Sequence, residues 1–234
     1  MEVQVGAAKV PKYAVDESGD TLEMIERPRG GLSAVLVDGQ RSGHAAKIIS
    51  NIVARKAISL LGEGVRDGAA ARAAHDYLCT HRGSQVSAEL QIISVDLQTK
   101  TLVISRNTHC PAYHLLGSDC HALEEASRPI GLYSNTKPAI SELDLVQGTY
   151  VVAYTDGLCV AGQRQGQTLD MPKLLQRVVA SAPSAQELAD TILDVALRLE
   201  DGRPTDDMSV LVVSVRDITS DQRIRRMTVT FPVL

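Results

Sequence analysis

Apolar residues along the chain change spacing several times, and each change marks an element. Weak alternation over residues 2–10 predicts a strand, and "TLEMIERP" (21–28) predicts a second that stops at Pro28. "GGLSAVLVDG" (30–39) is a short apolar run bounded by glycines, the pattern of a buried strand. From His44 onward Ala45, Ile48, Ile49, Ile52, Val53, Ala57 and Leu60 recur at helical spacing until "GEG" at 62–64 stops them. A second helix from Val65 to about His81 places Ala69, Ala70, Ala73, Ala74, Tyr77 and Leu78 on one face.

Alternation then returns. Residues 86–97 and 101–106, joined by "QTK", predict an antiparallel hairpin, and "AYHLLG" (112–117) a further strand. "GTYVVAYTDG" (148–157) is the second apolar strand that ends in Asp-Gly. Two helices follow. The second, residues 184–202, opens with Ser184 and Glu187 at capping-box spacing and closes at Gly202. "RPTDDMSVLVVSV" is a turn with two aspartates leading into a strand, and "RRMTVTFPV" (225–233) predicts a last one, with "RIRRM" as a solvated strand face. Strands at both ends and in the middle, separated by pairs of helices, point to an α+β fold with largely antiparallel sheets. The length of 234 residues suits one domain over 1–234 with a sizeable core.

Composition narrows the function classes. A formal charge of -4 gives no electrostatic footprint for nucleic acid, so no nucleic-acid partner is expected. The start lacks a basic segment followed by an apolar core, and no apolar run approaches the roughly 18 residues of a membrane span, which predicts a cytoplasmic protein without a membrane partner. With no Trp and one Phe, the core must be built from Leu, Val, Ile and Ala; Met24, Met171, Met208 and Met227 read as core filling. Cys79, Cys110, Cys120 and Cys159 form no C-x-x-C pair, so free thiols are expected rather than a disulfide framework or a thiolate zinc site, although His81, His109 and His121 lie near three of them.

The candidate chemistry lies in aspartates at strand ends. Asp38, Asp156 and the pair Asp206-Asp207 each sit at the edge of a strongly apolar strand, where a rigid backbone can aim a carboxylate into a cleft. Taken singly, each corner reads as a turn rather than a ligand. If the three corners converge, the carboxylates repel one another, and a divalent cation removes that cost. Oxygen donors without thiolate or imidazole favour Mg²⁺ or Mn²⁺ over zinc. Gly39 and Gly157 would let backbone or water approach closely. The implied chemistry is metal-assisted hydrolysis.

Six segments in order, "SGD" (18–20), "VLVDGQRSGHAAK", "SRNTHCPAYHLL", "RPIGL" (128–132), "GTYVVAYTDGL" and "TDDMSVLVV", give the chain a resemblance to the SpoIIE-like branch of the metal-dependent PPM (type 2C) serine/threonine protein phosphatases. The resemblance implies a four-layer α/β/β/α sandwich, two antiparallel sheets flanked by helices, with two Mn²⁺ or Mg²⁺ ions at one edge. By family role Asp38 would bridge both ions, Gly39 would lend its carbonyl to one, and Asp156 and Asp206 would hold the other. Asp20 would hold a water on the metal, and Asp207 would stand behind the ligands. The implied reaction is hydrolysis of phosphoserine or phosphothreonine by a metal-activated water without a phosphoenzyme, on an anti-anti-sigma protein of the STAS type. A docking module without activity and a small-molecule metal phosphoesterase are the alternatives.

The chain departs from the family pattern at several positions, and those at Ala45 and Thr108 concern the local backbone rather than the metal ligands. Gln40 stands where eukaryotic relatives place a histidine, Ala45 and Thr108 replace glycines, and no arginine matches the eukaryotic phosphate anchor, for which Arg41 is the substitute by position. His44 suits a helix start better than catalysis, with a substrate contact as the other role. His109 reads as a satisfied core histidine, because its neighbours are apolar, with the substrate face as its alternative.

Overall fold

Ten strands pair into two five-stranded antiparallel sheets in the computed structural model, which describes residues 1–218, 224–230 and 232. The first sheet contains β1 (Glu2–Val10), β6 (Ala112–Leu116), β7 (Asp119–Leu123), β9 (Thr149–Tyr154) and β10 (Met208–Arg216), in the order β1-β10-β9-β6-β7. The second contains β2 (Thr21–Glu26), β3 (Gly31–Gly39), β4 (Ala88–Asp96), β5 (Thr101–Asn107) and β8 (Ala139–Asp144), in the order β2-β3-β4-β5-β8.

Period-2 alternation explains the layering. On β3, Ala34 and Leu36 face the other sheet and meet Val151, Ala153, Leu211 and Val213, whereas Val35 and Val37 face helices. Those helices are α1 (Gly43–Gly62) and α2 (Asp67–Arg82), which bury Val53, Ala57, Ala70 and Ala74. The outer face of the first sheet packs Tyr154, Val210 and Val212 against α4 (Met171–Val179) and α5 (Ala185–Leu199). A four-residue helix, α3 (Asp156–Cys159), follows β9 after Thr155. The result is the four-layer sandwich that the resemblance implies. The capping box on α5 is complete, with Ser184 Oγ accepting from the Glu187 amide and the Glu187 carboxylate accepting from the Ser184 amide at 2.7 Å.

Two edge strands escape the sequence pattern, and one expected strand is missing. β7 exposes three of its five residues and β8 three of its six, so neither carries a continuous apolar stripe. Residues 224–230 are exposed and form no strand; Arg223, Phe231 and Val233, the other parts of the "RIRRM" and "RRMTVTFPV" expectations, lie outside the described residues. Met227 is correspondingly 68% exposed rather than core filling, while Met171 and Met208 are buried. Among the described residues, no helix is long and apolar enough to cross a membrane.

Candidate metal centre

Strand direction brings the acids together. β3 runs toward one edge of the sandwich and ends at Asp38-Gly39; its antiparallel neighbour β2 begins at that edge, just after Asp20. In the other sheet β9 runs to the same edge and delivers Asp156, and its neighbour β10 begins there, just after Asp206 and Asp207. An open cleft of about 310 Å³ at this edge is lined by Asp38, Asp156 and Asp206, with Glu89, Lys12 and Arg41 also on its wall. The three corners separated in sequence are therefore one site.

Glu89 is the acid that sequence reasoning missed. It sits directly across the β3–β4 ladder from Asp38, a like-charge pairing that is unfavourable without compensation. Its signal was present: a carboxylate at the second position of the strand "AELQIISVD", flanked by Ala88 and Leu90. Burial pushes Asp38 up to about 10, with Asp20, Asp156 and Glu89 adding repulsion. Burial also raises Asp206, and Asp156 adds to it.

Asp20 lies beneath these acids, with no exposed surface. Its Oδ2 accepts from Ser209 Oγ at 2.6 Å and Thr155 Oγ1 at 3.0 Å, whereas its Oδ1 is buried with no hydrogen-bond partner. Burial drives its carboxyl to about 7 although both hydroxyls favour the charged form. The Asp20 carbonyl accepts from Lys47 Nζ at 2.6 Å and Lys9 Nζ at 3.1 Å, which pins the residue from the other side. An unpartnered buried oxygen beside a cluster of carboxylates fits hard divalent cations and their water, which would satisfy both.

Neighbouring residues serve the frame. Asp207 accepts from the Lys12 and Gly19 amides, both at 2.9 Å, and so ties the 11–20 connection to the start of β10. Asp206 accepts from the Asp207 amide at 3.0 Å through Oδ1. A Cβ on Gly157 would stand 2.1 Å from the Asp207 carbonyl oxygen, and one on Gly39 would stand 2.1 Å from that of Ala46. Both glycines thus permit backbone contacts, Gly39 of β3 with α1 and Gly157 of α3 with the β10 corner.

The other expected residues divide. Arg41 lines the cleft with a left-handed φ of 77°. Gln40 is tied to Ser87, whose amide donates to Gln40 Oε1 at 3.1 Å. His44 stands outside the cleft lining and bonds Glu17 at 2.9 Å; the helix cap position belongs to Ser42. His109 is not a core histidine: its side chain is 63% exposed and bonds the Glu89 carboxylate through Nδ1. β5 ends at Asn107, so strand alternation does not extend to position 109. Burial alone would lower the His109 pKa, but the Glu89 carboxylate outweighs it and raises it.

Residues 28–216 match the family model for stage II sporulation protein E (SpoIIE). The chain is 23% identical over 214 residues to stage II sporulation protein E of Bacillus subtilis (strain 168), covering 91% of this chain and 26% of that protein, so it spans about a quarter of that relative's length. Among solved structures, it resembles the PP2C phosphatase domain with a regulatory fragment of the same B. subtilis protein, at TM-score 0.79 and 22% identity over 94% of this chain and 64% of that one. It also resembles the RsbU and RsbW domains of Rv1364c from Mycobacterium tuberculosis, at TM-score 0.77 and 20% identity over 93% and 61%. The catalytic domain of the serine/threonine phosphatase PstP in complex with two manganese ions matches at TM-score 0.69 and 17% identity over 92% and 99%.

Proposed function

The chain belongs to the SpoIIE family, and from that premise we propose that it is a metal-dependent phosphatase of phosphoserine and phosphothreonine in proteins. The observation that carries the reading is the meeting of Asp20, Asp38, Asp156 and Asp206 at one edge of the sandwich, with Asp20 Oδ1 buried and unpartnered. Asp38 would be shared between two cations, Mn²⁺ or Mg²⁺; the Gly39 carbonyl would bind one, and Asp156 and Asp206 the other. Bound there, the cations would supply an activated water near neutral pH and positive charge against the phosphoryl oxygens.

The side chains have separable tasks. Asp20, clamped by Ser209 and Thr155, keeps Oδ1 free to accept a hydrogen bond from water in the cleft. Arg41 and Lys12 are the cations on the cleft wall, and Arg41 is assigned to the phosphoryl group. Asp207 and Gly157 hold the corner that presents Asp156 and Asp206.

The proposed substrate is a serine-phosphorylated STAS-domain protein of the anti-anti-sigma type. Family resemblance and the likeness to a protein with RsbU and RsbW domains support it. Phosphate release from such a protein should exceed release from nucleotide or sugar phosphates at equal concentration. The reverse order would make the chain a small-molecule phosphoesterase.

A further inference from the structure

Beside the carboxylate cleft lies a second group of donors of different chemistry. Cys110, in the connection between β5 and β6, and Cys159, the last residue of α3, are 49 positions apart in sequence, yet their sulfurs are 3.4 Å apart. A Glu89 oxygen, a His109 nitrogen and the Cys110 sulfur all lie within 4.8 Å of one another. Absence of a C-x-x-C pair made a thiolate site unexpected; the tertiary fold creates the pair that local spacing does not.

We propose that Cys110, His109 and Glu89, with Cys159 as fourth donor, form a cation site for a thiolate-binding divalent ion of the Zn²⁺ class, which adjoins the all-oxygen centre at Asp38 across the Glu89 wall of the cleft and uses none of its ligands. This site stands independently of the phosphatase reading. Cys110, His109 and Glu89 supply three clustered donors, and Cys159, outside that cluster but with its sulfur 3.4 Å from that of Cys110, would turn in to complete a four-donor set suited to a borderline-soft tetrahedral ion and poorly suited to Mg²⁺. Sulfurs at about 2.3 Å from a tetrahedral centre lie about 3.8 Å apart, so the pair needs to open by only a few tenths of an ångström.

Three of the donors are held before any ion arrives. Thr108 Oγ1 accepts from the Cys110 amide at 3.0 Å and donates to Glu89, and Arg106 Nη1 donates to the Cys110 carbonyl at 3.0 Å. Glu89 in turn fixes His109 through Nδ1. Cys110 is buried, while His109 and Cys159 are open to solvent, which gives an ion a path in. An ion here would tie the β5–β6 connection to α3, the helix whose first residue is Asp156.

The test is a Co²⁺ titration of fully reduced protein, followed by absorption. Thiolate ligation gives a strong near-ultraviolet charge-transfer band that an all-oxygen site cannot give. The expected result is a band saturating at one ion per chain, displaced by Zn²⁺ and untouched by excess Mg²⁺. It should be absent in Cys159→Ser and Cys110→Ser and retained in Asp156→Asn. Glu89→Gln, which also removes the carboxylate that orients His109, should weaken the ion at least about 10–100-fold. Cys159 is exposed, so its serine variant should fold as judged by circular dichroism. A folded, reduced wild type without the band, or a band undiminished in Cys159→Ser, overturns the proposal.

Discussion

Asp20 and Ser209, 189 positions apart, share a 2.6 Å hydrogen bond beneath the cleft, and it helps leave one Asp20 oxygen satisfied and the other free. The bond joins the two sheets, since Asp20 precedes β2 and Ser209 lies on β10. Ser209→Ala should cost about 1–3 kcal/mol, because a buried acid loses a donor. Urea unfolding in chelator would measure it, and a change below a few tenths of a kcal/mol would speak against the clamp.

Adjacent aspartates should behave oppositely. Asp207 accepts two backbone amides, so Asp207→Ala should lower stability by about 2–4 kcal/mol even without metal. Asp206 faces the cleft and is raised by burial and by Asp156, so Asp206→Asn should leave metal-free stability nearly unchanged while abolishing stabilisation by Mn²⁺. Thermal unfolding of both variants with and without Mn²⁺ separates the two roles.

Metal-free stability should fall as pH rises. Asp20 at about 7 and Asp38 at about 10 both start from 3.8, so the folded chain holds protons that the unfolded chain has released. Stability from these groups is full below the unfolded value and declines through the folded values. Between about pH 5 and about pH 9 the unfolding midpoint in chelator should therefore drop, less so in Asp38→Asn, and saturating Mn²⁺ should flatten the decline. An equal drop in wild type and Asp38→Asn would contradict this.

Much of the fold was legible because the buried strands carry dense apolar runs. β3 ends in Asp38-Gly39 and β9 is followed, after Thr155, by Asp156-Gly157, and that repetition located two of the corners before any geometry was known. β7 and β8 were not legible, since an edge strand with one half-covered face needs few apolar residues. Glu89 and the Cys110–Cys159 pair depend on cross-strand register and on a loop meeting a helix, which neither periodicity nor local spacing encodes. His109 was misjudged because its apolar sequence neighbours belong to a bent connection, where alternation no longer reports burial.

Arg41 offers a test of substrate contact apart from folding. Its left-handed φ costs about 1–2 kcal/mol for a residue with a Cβ, while glycine adds about 0.5–1 kcal/mol of unfolded-state entropy. Arg41→Gly should therefore change stability by no more than about 1.5 kcal/mol. If Arg41 meets the phosphoryl group, KM rises with little change in kcat; an unchanged KM would remove it from the substrate site.

The most direct test of the central claim is phosphate release from a phosphoserine protein during a Mn²⁺ titration, with wild type and Asp156→Asn side by side. Turnover that requires the ion and disappears in Asp156→Asn, with both proteins folded, is the predicted result. Turnover without added metal in the presence of chelator, or turnover unaffected by Asp156→Asn, would contradict it.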